Sequence, residues 1–216
     1  LTFACWFKTY STASQQTLIS KYGGSAGEQA YIMYIENSAA FGVYVDDGSG
    51  NTSLLSSTGI VTTGKWAHYC MMQNQTALYG FIDGKLVTSG TPARNLRNSP
   101  IPFYVGRYHN GGACNGDMAH AVVWAGTSLS FEQIARLAAG EPPMDVQQAG
   151  CLGYWPMGGY GGKNFAPGGV NLTVQGSLAV YPSAPVFATP DMFVSGGGEA
   201  VMAPVYLPAM GAYYGT

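Results

Sequence analysis

From residue 1 to about residue 181, short runs of alternating or continuously apolar residues recur at strand length. They fall at 2–8, 17–21, 30–36, 41–46, 52–56, 66–73, 77–82, 85–89, 103–106, 118–124, 153–156 and 170–174. Gly, Asn and Asp punctuate them, which marks short strands separated by turns. So many short strands bury their apolar sides by stacking as two antiparallel sheets, and the pattern predicts an all-β sandwich. The clearest local signal is Asp83-Gly84, between Tyr79-Gly80-Phe81-Ile82 and Lys85-Leu86-Val87. Asp and Gly tolerate the two positive-φ positions of a type I′ turn, so a hairpin of fixed register is expected there.

One helix is signalled. Ser130 precedes residues 131–139, Gln133 stands where a capping box needs it, and Gly140 then Pro142 end the run. A single helix among a dozen strands is a plug or lid. Trp6, Phe7, Trp66, Phe81, Val105, Val123, Trp124 and Trp155 are scattered along the whole stretch. Only a common core gathers them, so they are expected in the interior or at its margins.

After Asn164 the chain contains no Lys or Arg, and Asp191 and Glu199 are its only acids. Pro182, Pro185, Pro190, Pro204 and Pro208 flank Gly196-Gly197-Gly198. That composition opposes a packed core of its own, and residues 182–216 read as an extended arm beside a domain at 1–181. Yet the arm carries Val186, Phe187, Met192, Phe193, Tyr206, Met210 and Tyr213. A disordered linker is poor in such residues; the expectation is that other chains bury them, by strand addition among other routes.

Composition narrows the partners. Charged residues make up 9% of the 216 residues, against 47% hydrophobic and 13% aromatic, where an average soluble protein has roughly 25% charged. A surface of Ser, Thr, Asn, Gln, Gly and Tyr repels itself little and suits packing against other subunits or against glycans. Nine scattered Lys and Arg and a formal charge of −2 lack the electrostatic footprint of a nucleic-acid binder. No apolar run is long enough for a transmembrane helix, so no membrane insertion is expected. Leu1 already lies in a strand-like run, which reads as a processed or partly represented chain. Cys5 and Cys70 sit in apolar runs as core thiols, and Cys114 with Cys151 is the one pair considered for a bridge.

The residues resemble the laminin-G-like jelly roll of the concanavalin A-like lectin/glucanase superfamily. The carriers are Phe3-Ala4-Cys5-Trp6-Phe7-Lys8, Thr17-Leu18-Ile19-Ser20-Lys21, Gly64-Lys65-Trp66-Ala67-His68-Tyr69, the 79–85 hairpin, Phe103-Tyr104-Val105-Gly106-Arg107, Gly116 to Trp124, the helix and Gly153-Tyr154-Trp155-Pro156. The resemblance implies a two-sheet jelly roll and a habit of binding glycans or proteins, sometimes through calcium. That family usually has a strand ahead of the one starting at Leu1, so a sheet edge is expected to be missing.

No catalytic constellation emerges. Gly23-Gly24-Ser25-Ala26-Gly27 matches a nucleophile elbow, but a strand-like alternation follows it where a helix is needed. Gly59 to Lys65 approaches a phosphate loop, but Trp66 stands where Ser or Thr is required. The glutamates lack the paired spacing of a retaining glycosidase. His68, His109 and His120 form no zinc set, and His68 and His120 read as ordinary sheet residues. No cofactor is required. Asp46-Asp47-Gly48-Ser49-Gly50-Asn51 is an oxygen-rich turn, and Asp46, Asp47 and Asn51 are the candidate ligands if calcium binds. Tyr108 with His109 and Asn110, and Tyr160, are aromatics in Gly-rich loops that suit stacking on sugar rings.

These features predict a non-catalytic structural or adhesive surface protein that forms a homo-oligomer or repeating assembly through its arm. By analogy with virion proteins that carry this domain, a tailed-phage capsid decoration or fibre component is the expected setting. The alternative is a secreted or cell-surface carbohydrate-binding module.

Overall fold

The computed structural model describes residues 1–91 and 94–174, together with the two-residue strand Val205–Tyr206. Two sheets carry the fold. One has the order β11-β10-β1-β6-β7-β8, where β1 is Thr2–Thr9, β6 Trp66–Gln73, β7 Leu78–Ile82, β8 Lys85–Gly90, β10 Gly116–Trp124 and β11 Cys151–Trp155. The other has the order β12-β13-β9-β2-β3-β4-β5, with β2 Gln16–Lys21, β3 Tyr31–Ile35, β4 Phe41–Asp46, β5 Asn51–Leu55, β9 Tyr104–Val105, β12 Thr173–Val174 and β13 Val205–Tyr206. Neighbouring strands pair antiparallel throughout. The expected all-β sandwich is the observed one.

Side chains alternate across each strand, and on β1 both sides are apolar. Phe3, Cys5 and Phe7 enter the core between the sheets, with Leu18, Met33, Phe41, Val43, Phe103, Val105 and Trp155. Ala4 faces the opposite way, into a second apolar layer with Cys70, Met72, Phe81, Val122 and Trp124. Helix α1, Phe131–Ala138, covers that layer with Ile134 and Leu137. It forms because Ser130 accepts from the Gln133 amide while the Gln133 side chain returns to the Ser130 amide. Burying a Leu-sized chain contributes about 1.5–3 kcal/mol, enough for so short a helix to be held by its packing. A second short helix, α2 at Pro143–Val146, extends the cover, and the Trp124 indole N–H donates to Gln147 O at 2.7 Å beside it.

The predicted core aromatics are where the pattern put them, with Phe7, Phe81, Trp124 and Trp155 buried and Trp6 and Trp66 at the margins. Asp83 and Gly84 have φ of 49° and 73°, as the hairpin requires. Ser25 lies in the loop joining β2 to β3, outside any strand-to-helix elbow. Leu1 leads into a central strand, since β1 lies between β10 and β6 and the edges of that sheet are β11 and β8. All four cysteines are free and buried. Cys114 and Cys151 sit in different apolar layers and form no bridge, and burial pushes their thiols up to about 12 and about 11. Residues 182–216 lie outside the described residues except for β13, which pairs with β9 and β12 of this chain's own sheet.

Both strand histidines are buried and His120 is unusual. The register between β1 and β10 shifts between Ala4 and Trp6, and His120, at the bulge, has φ of 52°. Its amide donates to Pro156 O at 3.1 Å, and its Nδ1 shares a hydrogen bond with the Tyr154 hydroxyl at 2.8 Å. Burial lowers the pKa of His68 to about 3, and burial with the nearby His68 lowers that of His120 to about 3. Both are therefore neutral in the folded chain and protonate near pH 6.5 when it unfolds. Between those values the unfolded state binds more protons, so stability present above about pH 6.5 is lost as pH falls toward 3. The slope is on the order of 1.4 kcal/mol per pH unit for each histidine. Urea midpoints measured from pH 7 to pH 4 should fall accordingly, and His68→Gln and His120→Asn should each flatten the dependence. An unchanged slope in both variants contradicts this account.

Candidate functional site

The outer face of the seven-stranded sheet is built by the same alternation that fills the core. On β3, Tyr31, Met33 and Ile35 point inward, leaving Tyr34 on the outer side. On β4, Phe41, Val43 and Val45 point inward, leaving Gly42, Tyr44 and Asp46 outside. On β9, Val105 points inward and Tyr104 outward. Tyr34 pairs with Gly42 across the β3–β4 ladder, and its ring lies over that glycine, where any Cβ would overlap it.

A loop then folds back over this face. Gly106 donates to Leu18 O at 2.8 Å, Ser20 Oγ donates to Arg107 O at 2.8 Å, His109 N–H donates to Tyr22 O at 3.0 Å, and Thr17 N–H donates to Gly112 O at 3.1 Å. The loop thus crosses the whole of β2. Tyr108 and Gly111 exchange backbone hydrogen bonds at 3.2 and 3.3 Å, with His109 and Asn110 at the tip. Asn110 adopts φ of 68°, which Asn tolerates better than most residues, and is exposed. The Tyr108 ring lies against Gly112, whose φ is 57° and whose place no Cβ could share.

Tyr108 and Tyr44 both meet Tyr22 edge to face, at centroid distances of 5.9 and 5.5 Å, a favoured aromatic geometry. The polar ends of these rings are organised. Tyr104 OH and His109 Nδ1 share a hydrogen bond at 2.8 Å. Tyr44 OH donates to Gln29 Oε1 at 2.7 Å and lies 3.1 Å from Asp46 Oδ2. Burial raises the Tyr22 phenol, and burial reinforced by Asp46 raises that of Tyr44. Both are neutral phenols at physiological pH. The result is a face on which the half-buried rings of Tyr22, Tyr34 and Tyr108 stand beside the buried Tyr44 and Tyr104, edged with hydrogen-bonding groups.

Of the residues singled out from the sequence, Tyr108, His109 and Asn110 fall in this site. Tyr160 does not. It packs on Phe165 at 5.1 Å, and Phe165 belongs to the helix-covered layer on the other sheet. Asp46 and Asn51 face each other across β4 and β5, and Asp47 leads the turn between them. Asp47 accepts from Ser49 and Gly50 and is 3.3 Å from Arg94, while Asp46 accepts from Gly48 N–H and is 3.8 Å from Arg97. The Ser49 hydrogen bonds, then Arg94, hold the Asp47 carboxyl down to about 2. A calcium ion here would have to displace both guanidinium groups. Among the described residues no group of three or more His, Cys, Asp or Glu could hold a metal ion. The sequence reading missed Tyr22, Tyr34, Tyr44 and Tyr104, which come from separate strands and meet only through sheet register.

A laminin G family model, described as the concanavalin A-like lectin/glucanases superfamily, matches residues 1–135. The chain belongs to that superfamily. No curated protein matches it. Among solved structures of the same fold, it is similar to a putative carbohydrate binding protein from Bacteroides ovatus at 16% identity and a TM-score of 0.56, over 72% of this chain and 44% of that one. It is also similar to the CBM40 of the Ruminococcus gnavus IT-sialidase bound to α2,3 sialyllactose, at 19% identity and a TM-score of 0.51, over 63% of this chain and 81% of that one. A heptameric SAP-like pentraxin from Limulus polyphemus follows at 16% and 0.50, over 65% and 70% of the two chains. The chain thus spans less than half the length of the Bacteroides protein. Within this superfamily fold the helix α1 covers one outer face, and the tyrosines occupy the other.

Because Tyr108 depends on Gly112, Gly112→Ala should destabilise the fold by about 1–3 kcal/mol through overlap and an unfavourable positive φ. Gly24→Ala, with open space around its Cβ, should stay within about 0.5 kcal/mol of the parent. Denaturant midpoints compare them, and equal midpoints would show that Tyr108 does not rest on Gly112.

Proposed function

We propose that the chain is a non-catalytic carbohydrate-binding module of a secreted or cell-surface protein, and that the tyrosine face of the seven-stranded sheet is its ligand surface. The observation that carries this reading is the cluster of Tyr22, Tyr44 and Tyr108 in edge-to-face contact, with Tyr108 set against Gly112 and Tyr34 over Gly42 on the same face. A pyranose presents an apolar face of C–H groups ringed by hydroxyls. A held aromatic ring with donors and acceptors at its edge matches that pattern at small entropic cost. Asn110 at the loop tip and the Tyr44–Gln29 pair supply such edges.

This reading is preferred to a virion decoration or fibre component. Fold relatives named for carbohydrate binding support it. The virion reading draws on residues 182–216, nearly all of which lie outside the described residues.

A glycan array should detect binding to at least one class of oligosaccharide. Tyr108→Ala should weaken that binding about ten-fold, the order of one lost stacking contact of about 1.4 kcal/mol. Phe131→Ala, which removes an exposed aromatic from the helix face, should leave it unchanged. Absence of binding across the array, or equal loss in both variants, overturns the proposal.

A further inference from the structure

The chain has four arginines, and three of them are committed to carboxylates. Arg94 pairs with Asp47 at 3.3 Å, Arg97 with Asp46 at 3.8 Å, and Arg136 with Glu141. Arg107 has no carboxylate partner among the described residues. It sits in the loop that crosses β2, directly before Tyr108, and it is half-buried.

Its guanidinium is nevertheless held. Nε donates to Tyr108 O at 2.9 Å, and Cζ lies 5.7 Å from the Tyr104 ring centroid, within the range of a cation–π contact. The Arg107 carbonyl is itself fixed by Ser20 Oγ at 2.8 Å. With Nε occupied, the two terminal nitrogens make no hydrogen bond to the protein among the described residues. They form an end-on fork whose orientation is set before any ligand arrives. Such a fork matches the two oxygens of a carboxylate, and fixing it in advance removes most of the ordering cost of binding. Among the described residues, the other arginine near the tyrosine face, Arg97, is paired with Asp46.

We infer that the tyrosine face selects an acidic saccharide, with a sugar ring against Tyr108 and Tyr22 and the sugar carboxylate in the fork of Arg107. The inference rests on the carbohydrate-binding reading and sharpens it, because the low charge of the chain as a whole points only to uncharged ligands. Arg107 is the specificity-determining residue, while the tyrosines bind acidic and neutral sugars alike.

The test titrates the full chain with oligosaccharides of glucuronic, galacturonic and N-acetylneuraminic acid and with their carboxyl-reduced counterparts. At least one acid should bind ten-fold or more tightly than its reduced form. Arg107→Gln should bring the two within two-fold of each other, with the acidic form losing the greater share of its affinity. Arg107→Lys keeps the charge without the fork and should retain a preference of only a few-fold. The acid preference of the parent should also shrink as salt is raised from 50 to about 500 mM. Far-ultraviolet spectra and denaturant midpoints establish that each variant is folded. If reduced and acidic sugars bind the parent equally, or if the preference survives in Arg107→Gln, the inference fails and the carbohydrate-binding reading stands. If no saccharide of either kind binds the parent, both fail together.

Discussion

The six-stranded sheet is apolar on both faces, and the remaining architecture follows from that constraint. β1 sends Phe3, Cys5 and Phe7 into the space between the sheets and Ala4 to the far side, while β6 and β10 send Cys70, Met72, Val122 and Trp124 after it. A sheet with two apolar faces needs cover on both. The seven-stranded sheet supplies one cover and α1 with α2 the other. Once the helices are committed to that side, the outer face of the seven-stranded sheet has, among the described residues, no element above it except a loop. It is therefore the face on which tyrosines, whose rings are apolar and whose tips are wet, can be displayed without a second core forming over them.

Much of the fold was legible because its signals are local. Strand alternation, the Asp83-Gly84 turn and the Ser130–Gln133 capping box each act within a few residues, and each is present in the structure. The helix Pro143–Val146 is too short to show a period and escaped notice. The site was legible only in part. Tyr108, His109 and Asn110 stand together in one Gly-rich loop and could be seen as a unit. Tyr22, Tyr34 and Tyr44 reach the same place from three other positions, through registers such as Tyr34 opposite Gly42 that no local pattern encodes. Tyr160 looked equivalent to Tyr108 because a one-dimensional reading cannot tell which sheet a loop borders. The oxygen-rich turn at Asp46 and Asp47 invited a cation, and the guanidinium groups beside it come from a loop about fifty residues away along the chain.

Glycine has a specific part in this surface. At Gly42 and Gly112 its use is steric: the place of the missing Cβ is taken by the ring of Tyr34 at the first and by the edge of the Tyr108 ring at the second. An aromatic ring set against backbone keeps its orientation with few other side chains packed around it, as Tyr108 does with Tyr22. This differs from the way the core aromatics are held, where Phe103 is surrounded by Phe3, Tyr31 and Trp155. Rigidity on an open surface and rigidity in a core are thus reached by separate means in one domain.

The four thiols divide evenly between the two apolar layers. Cys5 and Cys114 lie between the sheets, and Cys70 and Cys151 lie beneath the helices. A buried, protonated thiol reacts with an alkylating reagent only when its surroundings open. The chain therefore carries a built-in pair of clocks, one for each layer. If the helices lift away before the sheets part, Cys70 and Cys151 are modified first. If the domain opens as one cooperative unit, all four are modified at a common rate, and the two layers are kinetically a single structure.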